Sequence, residues 1–373
     1  MGSSRAIFFL VSYKLFSAFF RQKTLLRYFS SLSGLGITGI ILLMGLGACS
    51  IGYSGPVSDH FDGSHFFIKG SDHSFTDMVK WMWEMETVEW PEWVDNPAQP
   101  LPVEQIGNGE LKVTYVNHAT VLIQMDGLNI LTDPIWSMRA GPFSWMGVKR
   151  IRNPGIKFED LPKIDLILIS HDHFDHLDLP TLTKIFKRDQ PKVLAGLGLK
   201  SYLENQKILK VTELDWWQDH QLGMNGITVT FVPAIHNSGR GPLLGNKTLW
   251  GGFVISSRNG SVYFAGDTGF GDFIEQVARR FDRIRLAVLP IGSYEKRWFM
   301  KNQHMNPDDA VRAHLILNSR QSMGIHFATF AEHPEQSIDA HEIDLKKALL
   351  HHHVEPSKFW ILEFGEGKHV GPF

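Results

Sequence analysis

The sequence predicts a layered α/β fold, because short apolar segments typical of strands alternate with helical segments through most of the chain. Its 373 residues are 43% hydrophobic, which is enough to bury one large core. The formal net charge is only −2, so no overall basic field points to nucleic acid, and we do not expect nucleic acid as a partner.

Individual elements follow from local patterns. Residues 111–123 alternate and then become apolar, which predicts a strand, and Asp126-Gly127 is a hairpin turn signal before a partner strand at 128–131. Asp178-Leu179-Pro180 predicts a helix that continues through Ile185. Asn306-Pro307 predicts another helix start, with a capping Asn and Pro at the first helical position.

The most informative segment is the hexapeptide His171-Asp172-His173-Phe174-Asp175-His176, which directly follows an apolar, strand-like run. A residue and its second neighbour point the same way at the end of an extended strand, so His171 and His173 can hold one ion together. The following turn carries Asp175 and His176 toward a second ion. Zinc accepts imidazole nitrogen and carboxylate oxygen, and manganese or iron would also suit these ligands. The alternative is a histidine-rich surface loop.

Three further candidate ligands each follow an apolar, β-rich segment: His236, Asp267 and His326. Gly266 and Gly269 flank Asp267, where the backbone must turn sharply and glycine allows this without steric cost. Together with the hexapeptide, these residues provide seven ligands, which are enough for two metals.

This ordered set of ligands, with Gly266-Asp267-Thr268-Gly269 at its centre, resembles the metallo-β-lactamase fold superfamily over roughly residues 106 to 373. The resemblance implies a four-layer αββα sandwich. Other segments look like the branch that includes N-acyl-phosphatidylethanolamine-hydrolysing phospholipase D and its bacterial relatives. They are Asn117-His118-Ala119-Thr120-Val121-Leu122-Ile123, Leu131-Thr132-Asp133-Pro134-Ile135, Leu161-Pro162-x-Ile164-Asp165 and Gln303-His304-x-x-Pro307-x-x-Ala310-Val311.

The resemblance implies two Zn²⁺ per chain and assigns each ligand to a site. The first zinc is assigned His171, His173 and His236, the second Asp175, His176 and His326, and Asp267 bridges both. Gln303 and His304 match a pair that lies beside the metals and contacts the substrate. For His304 the alternative is a structural role at the entry to the helix that starts at Asn306. The residues after His236 and His326 depart from the phospholipase pattern, which leaves the shape of the acyl pocket open.

The implied function is a phospholipase D-type hydrolysis of N-acyl-phosphatidylethanolamine or a related phospholipid, with a metal-bound hydroxide as nucleophile. Two cations about 3.5–4 Å apart can clamp the attacking and leaving oxygens at phosphorus. Asp175 and Asp267 supply only two carboxylate charges, which leaves net positive charge for an anionic phosphodiester. The expected proton donor is His304 or a water molecule. The alternatives are a metallohydrolase of a small lactone or nucleotide phosphodiester, and a non-catalytic metal- or lipid-binding envelope protein.

The amino-terminal segment, residues 1–50, predicts membrane targeting. A long apolar stretch from Tyr28 to Ser50 follows Arg21, Lys23 and Arg27. It ends at Cys49, the only cysteine of the chain, and small residues before that cysteine resemble a bacterial lipoprotein signal. The expected location is therefore the bacterial cell envelope, where the protein is attached either through lipidated Cys49 or through an uncleaved N-terminal anchor. A third interpretation of the segment is an ordinary buried helix.

Two aromatic-rich regions have an open role. The first is the extension, residues 51–105, in which Trp81, Trp83, Trp90 and Trp93 either seat the protein at a lipid headgroup boundary or cover the open side of the core. The second is the segment 133–155, whose aromatic and cationic side chains either contact phospholipid or serve the fold. In the latter case the aromatic side chains pack inward and the cations pair with Glu159 and Asp160. The expected partners are a phospholipid substrate and a membrane surface, and the oligomeric state is not predicted.

Overall fold

The computed structural model describes residues 51–68, 74–223, 226–241, 244–331 and 335–373. The predicted signal or anchor segment, residues 1–50, lies outside the described residues. Within those ranges, no helix has the length and apolar character needed to span a membrane.

Sixteen strands and seven α-helices make up the described part of the chain. The strands are β1 (Leu111–Asn117), β2 (Thr120–Met125), β3 (Leu128–Thr132), β4 (Arg139–Ala140), β5 (Val148–Lys149), β6 (Leu166–Ile169), β7 (Lys192–Gly196), β8 (Val211–Leu214), β9 (Asp219–Gln221), β10 (Thr228–Val232), β11 (Gly252–Ser257), β12 (Gly260–Phe264), β13 (Ile284–Pro290), β14 (Gln321–Ile325), β15 (Phe359–Trp360) and β16 (Gly367–His369). The helices are α1 (Phe75–Trp83), α2 (Leu179–Asp189), α3 (Lys200–Asn205), α4 (Phe273–Arg280), α5 (Arg297–Met300), α6 (Pro307–Ile316) and α7 (Ala340–His351).

Two mixed seven-stranded sheets form the centre of the fold. The first has the order β16-β1-β2-β3-β6-β7-β8 and the second the order β15-β14-β13-β12-β11-β10-β9, while β4 and β5 pair as a separate hairpin. Side chains alternate between the two faces of each strand. In β6, for example, Leu166 and Leu168 join the core between the sheets, while Ile167 and Ile169 join a second cluster on the outer face.

Helices cover the outer face of each sheet. Leu182 and Ile185 of α2 and Leu203 of α3 pack against the outer cluster of the first sheet. Val277 of α4 and Val311 of α6 pack with residues of the second sheet. The arrangement is helix, sheet, sheet, helix, and it confirms the predicted α/β sandwich.

The predicted strand over residues 111–123 is two strands. The chain turns at His118 and Ala119 between β1 and β2, and His118 adopts a left-handed φ of +47°. Contacts far away in sequence hold this turn, because the His118 amide donates to Thr329 Oγ1 at 2.9 Å and its carbonyl accepts from the His326 amide at 2.8 Å. The hairpin at Asp126-Gly127 is confirmed, since Met125 pairs with Leu128 across it.

The two predicted helix starts are also present. Helix α2 begins at Leu179 as expected but ends at Asp189, four residues beyond Ile185. Helix α6 has a complete capping box, in which the Asn306 side chain accepts from the Asp309 amide.

The extension packs on the sandwich through several of its aromatic residues. Phe61 and Phe66 are buried in the main core. Trp81 is buried against Phe299, with ring centroids 4.7 Å apart, whereas Trp83 is 90% exposed. Of these two tryptophans, Trp81 therefore packs inward as one alternative expected, and Trp83 does not.

The second aromatic-rich region, residues 133–155, also contains both buried and exposed side chains. Arg150 is buried and donates to the backbone oxygens of Ser137 and Ile135 rather than to Glu159 or Asp160. Phe143 and Trp145, at the tip of the β4–β5 hairpin, are exposed and stacked on each other with ring centroids 5.4 Å apart.

Candidate metal centre

The strand directions bring the predicted ligands to one edge of the sandwich. Strands β10 and β12 are both antiparallel to β11, and β12, β13 and β14 are parallel, so β10, β12 and β14 run the same way. The segments that carry His236, Asp267 and His326 therefore leave the second sheet at one edge. The hexapeptide leaves β6 of the first sheet opposite them, so ligands from both sheets face one cleft.

The first group of ligands contains His171, His173 and His236, whose ring nitrogens all lie within 4.8 Å of one another. His173 Nδ1 is 2.8 Å from His171 Nε2 and 3.3 Å from His236 Nε2. His171 and His236 are buried and His173 is partly exposed, so the cleft opens on the side of His173. Three imidazoles at this spacing suit one zinc ion.

The second group contains Asp175, His176 and His326, and His118 joins it. Asp175 Oδ2 lies 3.1 Å from His176 Nε2 and 3.6 Å from His326 Nε2. His176 and His326 are buried, and Asp175 is 13% exposed on its side chain. These donors match the predicted second metal site.

Asp267 lies between the two groups. Its Oδ2 is 3.2 Å from His176 Nε2 and 3.0 Å from His326 Nε2 in the second group, and 3.8 Å from His236 Nε2 in the first. The structure thus places all seven predicted ligands in one cluster, with the predicted bridging carboxylate at its centre.

The cluster fits divalent cations. Among the described residues, the buried atoms His176 Nε2, His326 Nε2 and Asp267 Oδ1 have no well-formed hydrogen bond. Unsatisfied buried polar atoms are costly, and a metal ion is one partner that would satisfy nitrogen and oxygen atoms converging on one point. The donors are imidazoles and carboxylates, which suit zinc, manganese or iron.

The potential inside the cluster favours positive charge. Burial alone lowers the pKa of His326, but the carboxylates of Asp267 and Asp175 raise it to about 10. Burial also opposes ionisation of Asp267, yet His176 and His326 hold the pKa of its carboxyl well below the usual range. A divalent cation would meet the same negative potential.

The first group is different, because its imidazoles are kept neutral. Burial lowers the pKa of His236 to about 3, against the opposing effect of Asp267. Burial and the neighbouring His176 and His173 likewise hold the pKa of His171 well below its ordinary value. Neutral imidazole is the form that binds metal, so this group is prepared for a cation near neutral pH.

A buried carboxylate, Asp133, orients the second group from behind. Its Oδ2 lies 2.7 Å from His176 Nδ1 and accepts from Ser170 Oγ at 2.5 Å, and its Oδ1 accepts from the Ser170 amide at 2.7 Å. Asp133 therefore supports a ligand histidine and fixes the ring orientation of His176.

His118 was not predicted as a functional residue. Its Nε2 lies 2.8 Å from Asp175 Oδ2, and its ring is buried 4.0 Å from that of His326 by centroid distance. The available signal was a polar residue inside an apolar alternating run, because a buried polar side chain needs a partner.

The remaining carboxylate of the hexapeptide, Asp172, does not belong to the cluster. It is buried, and its Oδ1 accepts from the Gly239 amide at 2.6 Å. The segment after His236 is therefore fixed to the hexapeptide by a residue that sequence reasoning gave no role.

Gln303 and His304 both reach the cluster, in different ways. The Gln303 backbone oxygen lies 3.0 Å from His236 Nδ1, and its side-chain oxygen accepts from Asn237 at 2.7 Å. The His304 ring is buried, with Nδ1 3.9 Å from Asp267 Oδ2 and its centroid 5.2 Å from those of His236 and His326. Gln303 thus also supports His236. Contact of Gln303 and His304 with the substrate stays a prediction.

Backbone geometry around the cluster is demanding. His118, Asp133 and His326 all have left-handed φ values, of +47°, +33° and +64°, which non-glycine residues adopt only where their surroundings hold them. Glycine is needed at Gly269, because a Cβ there would lie 2.5 Å from the Lys301 carbonyl oxygen. This close approach brings the Asp267 turn against the segment that carries His304.

The family model described as "Beta-lactamase superfamily domain" matches residues 128–327. The chain is 42% identical over 229 residues to the N-acyl-phosphatidylethanolamine-hydrolyzing phospholipase D 1 of Caenorhabditis elegans, covering 59% of this chain and 64% of that protein. It is 34% identical over 250 residues to the mitochondrial protein of the same activity from Saccharomyces cerevisiae, covering 65% and 53%. The matches thus span less than two thirds of either relative.

Solved structures share the fold. Igni18, a metallo hydrolase from the archaeon Ignicoccus hospitalis, is 23% identical, with a TM-score of 0.52 over 70% of this chain and 98% of that chain. At this identity the likeness shows the fold alone, and it agrees with the sandwich described above.

Proposed function

The chain belongs to the beta-lactamase superfamily, as the match over residues 128–327 shows, and on that premise we propose that it is a metal-dependent hydrolase of phosphodiesters. The observation that carries the proposal is Asp267 Oδ2 within 3.8 Å of ligand nitrogens from both groups. One carboxylate shared by two sets of ligands suits two neighbouring cations. The similarity to two phospholipases D supports N-acyl-phosphatidylethanolamine or a related phospholipid as substrate.

The proposed cofactors are two Zn²⁺ per chain. His171, His173 and His236 would hold one, Asp175, His176 and His326 the other, and Asp267 both. When bound, such cations lower the pKa of a water molecule and stabilise negative charge on phosphate oxygens. Asp133 and His118 keep His176 and Asp175 oriented for them.

The protein's own residues supply the remaining parts of the reaction. Hydrolysis of the phospholipase D type forms a bond from a water oxygen to phosphorus, breaks the bond from phosphorus to the N-acylethanolamine oxygen, and transfers one proton net from the water to that leaving oxygen. The leaving oxygen needs a proton, and His304, buried between the two groups, is the proposed donor. Phosphatidic acid is the second product.

A lipid substrate must reach the cleft from a membrane, and the β4–β5 hairpin is the proposed point of contact. Ala140 at its base packs with Phe330, whose ring is 5.3 Å from that of His118. The hairpin tip carries the stacked and exposed Phe143 and Trp145, and the exposed Lys149 lies on β5 of the same hairpin. Aromatic rings and a cation on one exposed hairpin suit a lipid headgroup boundary.

The test is metal content together with release of N-acylethanolamine from N-acyl-phosphatidylethanolamine in detergent, for the full chain and its Asp267→Asn variant. We expect release by the wild type and none above background by the variant. Asp272→Asn, which changes an exposed carboxylate on the same segment, is the matched control and should keep both metals and turnover. Two bound metals with no lipid turnover would exclude the phospholipase and direct the search to small lactones and nucleotide phosphodiesters.

A further inference from the structure

The segment that carries His304, residues 294–304, is held mainly through its backbone. We call it the His304 loop. The amides of Gln303 and His304 both donate to the Met300 carbonyl at 2.8 Å, and Arg297 Nη1 donates to the His304 carbonyl at 2.8 Å. The position of His304 therefore follows the position of the short helix α5.

Helix α5 packs in turn against the extension. The Phe299 ring is parallel to that of Trp81, with an interplanar angle of 4° and centroids 4.7 Å apart. Trp298 Nε1 donates to Glu84 Oε2 at 3.1 Å, and Lys80 Nζ lies 4.6 Å from the centroid of the Trp298 ring. These contacts join α1 to the outer side of α5.

Two further contacts join the extension to the start of the His304 loop. Lys296 Nζ donates to the Glu84 carbonyl. Trp90 Nε1 donates to the Gln336 backbone oxygen at 2.6 Å, while the Gln336 side-chain oxygen accepts from the Tyr294 amide at 2.8 Å. Gln336 thus links the extension to the first residue of the loop.

Trp90 also reaches the cleft. It lines a cavity together with His118, His326, Phe330 and His341, so the extension forms part of the wall beside the second group of ligands. The extension therefore contacts both the wall of the cavity beside the ligands and the His304 loop, which is more than covering the core requires.

From these contacts we infer that residues 75–90 of the extension are a positioning element of the active site, which holds His304 in register with the two groups of ligands. The inference deepens the proposed function and rests on it for its catalytic consequence. The structural part stands separately, because the contacts to α5 do not depend on the substrate. Trp81 is the central contact, and Trp83, two residues along the same helix but 90% exposed, is the matched control.

The first experiment measures hydrogen–deuterium exchange in the full chain, in detergent, for wild type, Trp81→Ala and Trp83→Ala. We expect Trp81→Ala to speed exchange of the peptide that spans residues 294–304 by about tenfold, because its amides open more often when α5 loses its support. Strands β6 and β12 should exchange as in the wild type, and Trp83→Ala should leave all peptides unchanged. Unchanged exchange of residues 294–304 in Trp81→Ala would overturn the inference.

The second experiment tests the consequence with glycerophospho-N-acetylethanolamine, a soluble phosphodiester whose alkoxide leaving group needs a proton. Misplacement of a reacting group lowers the reaction rate strongly, so Trp81→Ala should lower kcat by about ten- to a hundredfold. Metal content and KM should stay the same, and Trp81→Phe should recover most of the loss. In a His304→Ala background the Trp81→Ala change should cost less than about twofold, since two changes that act through one group are not additive.

Equal losses from Trp81→Ala in both backgrounds would mean that the extension does not act through His304, and the inference would fall. If the wild type holds two metals yet hydrolyses neither this substrate nor phospholipid, the proposed function fails instead. The exchange experiment would then still decide whether the extension positions the loop.

Discussion

His118 Nε2 lies 2.8 Å from Asp175 Oδ2, so a histidine at the turn between the first two strands holds a proposed metal ligand that is 57 residues away in sequence. The same histidine is bonded through its amide and carbonyl to Thr329 and His326. Burial, with the neighbouring His326, lowers the pKa of His118 to about 3, although Asp175 opposes the shift. The ring is therefore neutral near pH 7, with one N–H that can be donated to Asp175.

Replacement of His118 by Ala should weaken the second metal site, because Asp175 would lose the donor that fixes its orientation. Loss of such supporting partners typically costs about 10–100-fold in metal affinity. Competition with a chelator, with metal measured after dialysis, checks this. The exposed His369→Ala is the control, and equal retention of the second metal in His118→Ala and wild type would contradict the prediction.

Replacement of Asp133 by Asn should lower metal affinity by a similar factor of about 10–100, although it is nearly isosteric. The two Ser170 donors and His176 Nδ1 converge on the two carboxylate oxygens of Asp133. An amide has only one acceptor oxygen, so its NH₂ group must face at least one donor. Metal content and chelator competition measure the effect. Asp272→Asn provides the control, and an Asp133→Asn protein with wild-type affinity would show that the carboxylate is dispensable.

The sequence predicted the seven ligands because each lies in or directly after an apolar strand-like run, which is a local pattern. His326, for example, immediately follows β14, and the hexapeptide begins two residues after β6. The first-sheet residues that support them could not be assigned in this way. Asp133 meets His176 across 43 residues and His118 meets Thr329 across 211.

The fold class was predictable for the same reason, since β6 is a continuous apolar run, as expected of a strand that is buried on both faces. The turn at His118 was not predictable, because tertiary contacts rather than a glycine or proline break that run. Likewise the exposure of Trp83 beside the buried Trp81 depends on where α5 lies, which no local pattern contains.

If the hairpin tip contacts lipid, the double substitution Phe143→Ala and Trp145→Ala should raise the apparent KM for phospholipid in mixed micelles by about tenfold, which corresponds to loss of roughly 1.4 kcal/mol of apolar burial. Turnover of the soluble glycerophospho-N-acetylethanolamine should not change, because the tip does not enter the cluster. Val57→Ala removes an exposed apolar side chain elsewhere and is the control. An unchanged KM for the lipid would remove the hairpin from the proposal.

The cap of α6 should contribute measurably to stability. The Asn306 side chain accepts from the Asp309 amide at 2.9 Å, directly after the His304 loop. Asn306→Ala should lower the free energy of unfolding by about 1 kcal/mol, while Asn306→Ser, also a preferred cap, should recover most of it. Chemical denaturation measures both, and equal stability of the Ala and Ser variants would show that the cap is replaced by other contacts.

His314 should make the protein less stable in acid. The residue lies on α6 with Nδ1 2.8 Å from Ser322 Oγ and 2.9 Å from Ser319 Oγ, and burial, assisted by Lys358, lowers its pKa from 6.5 to about 4. Because the folded-state pKa is below the unfolded one, the stabilisation is complete above pH 6.5 and is lost as the pH falls toward 4. The loss over that window is on the order of 2–3 kcal/mol.

The His314→Gln variant separates this titration from that of other groups. It removes the ionisable group and keeps a polar side chain, so the difference in unfolding free energy between wild type and variant should shrink as the pH falls from 6.5 to 4. Denaturation in a chelating buffer across that range measures the difference, with the exposed His351→Gln as control. A difference that stays constant with pH would show that His314 does not titrate with a lowered pKa.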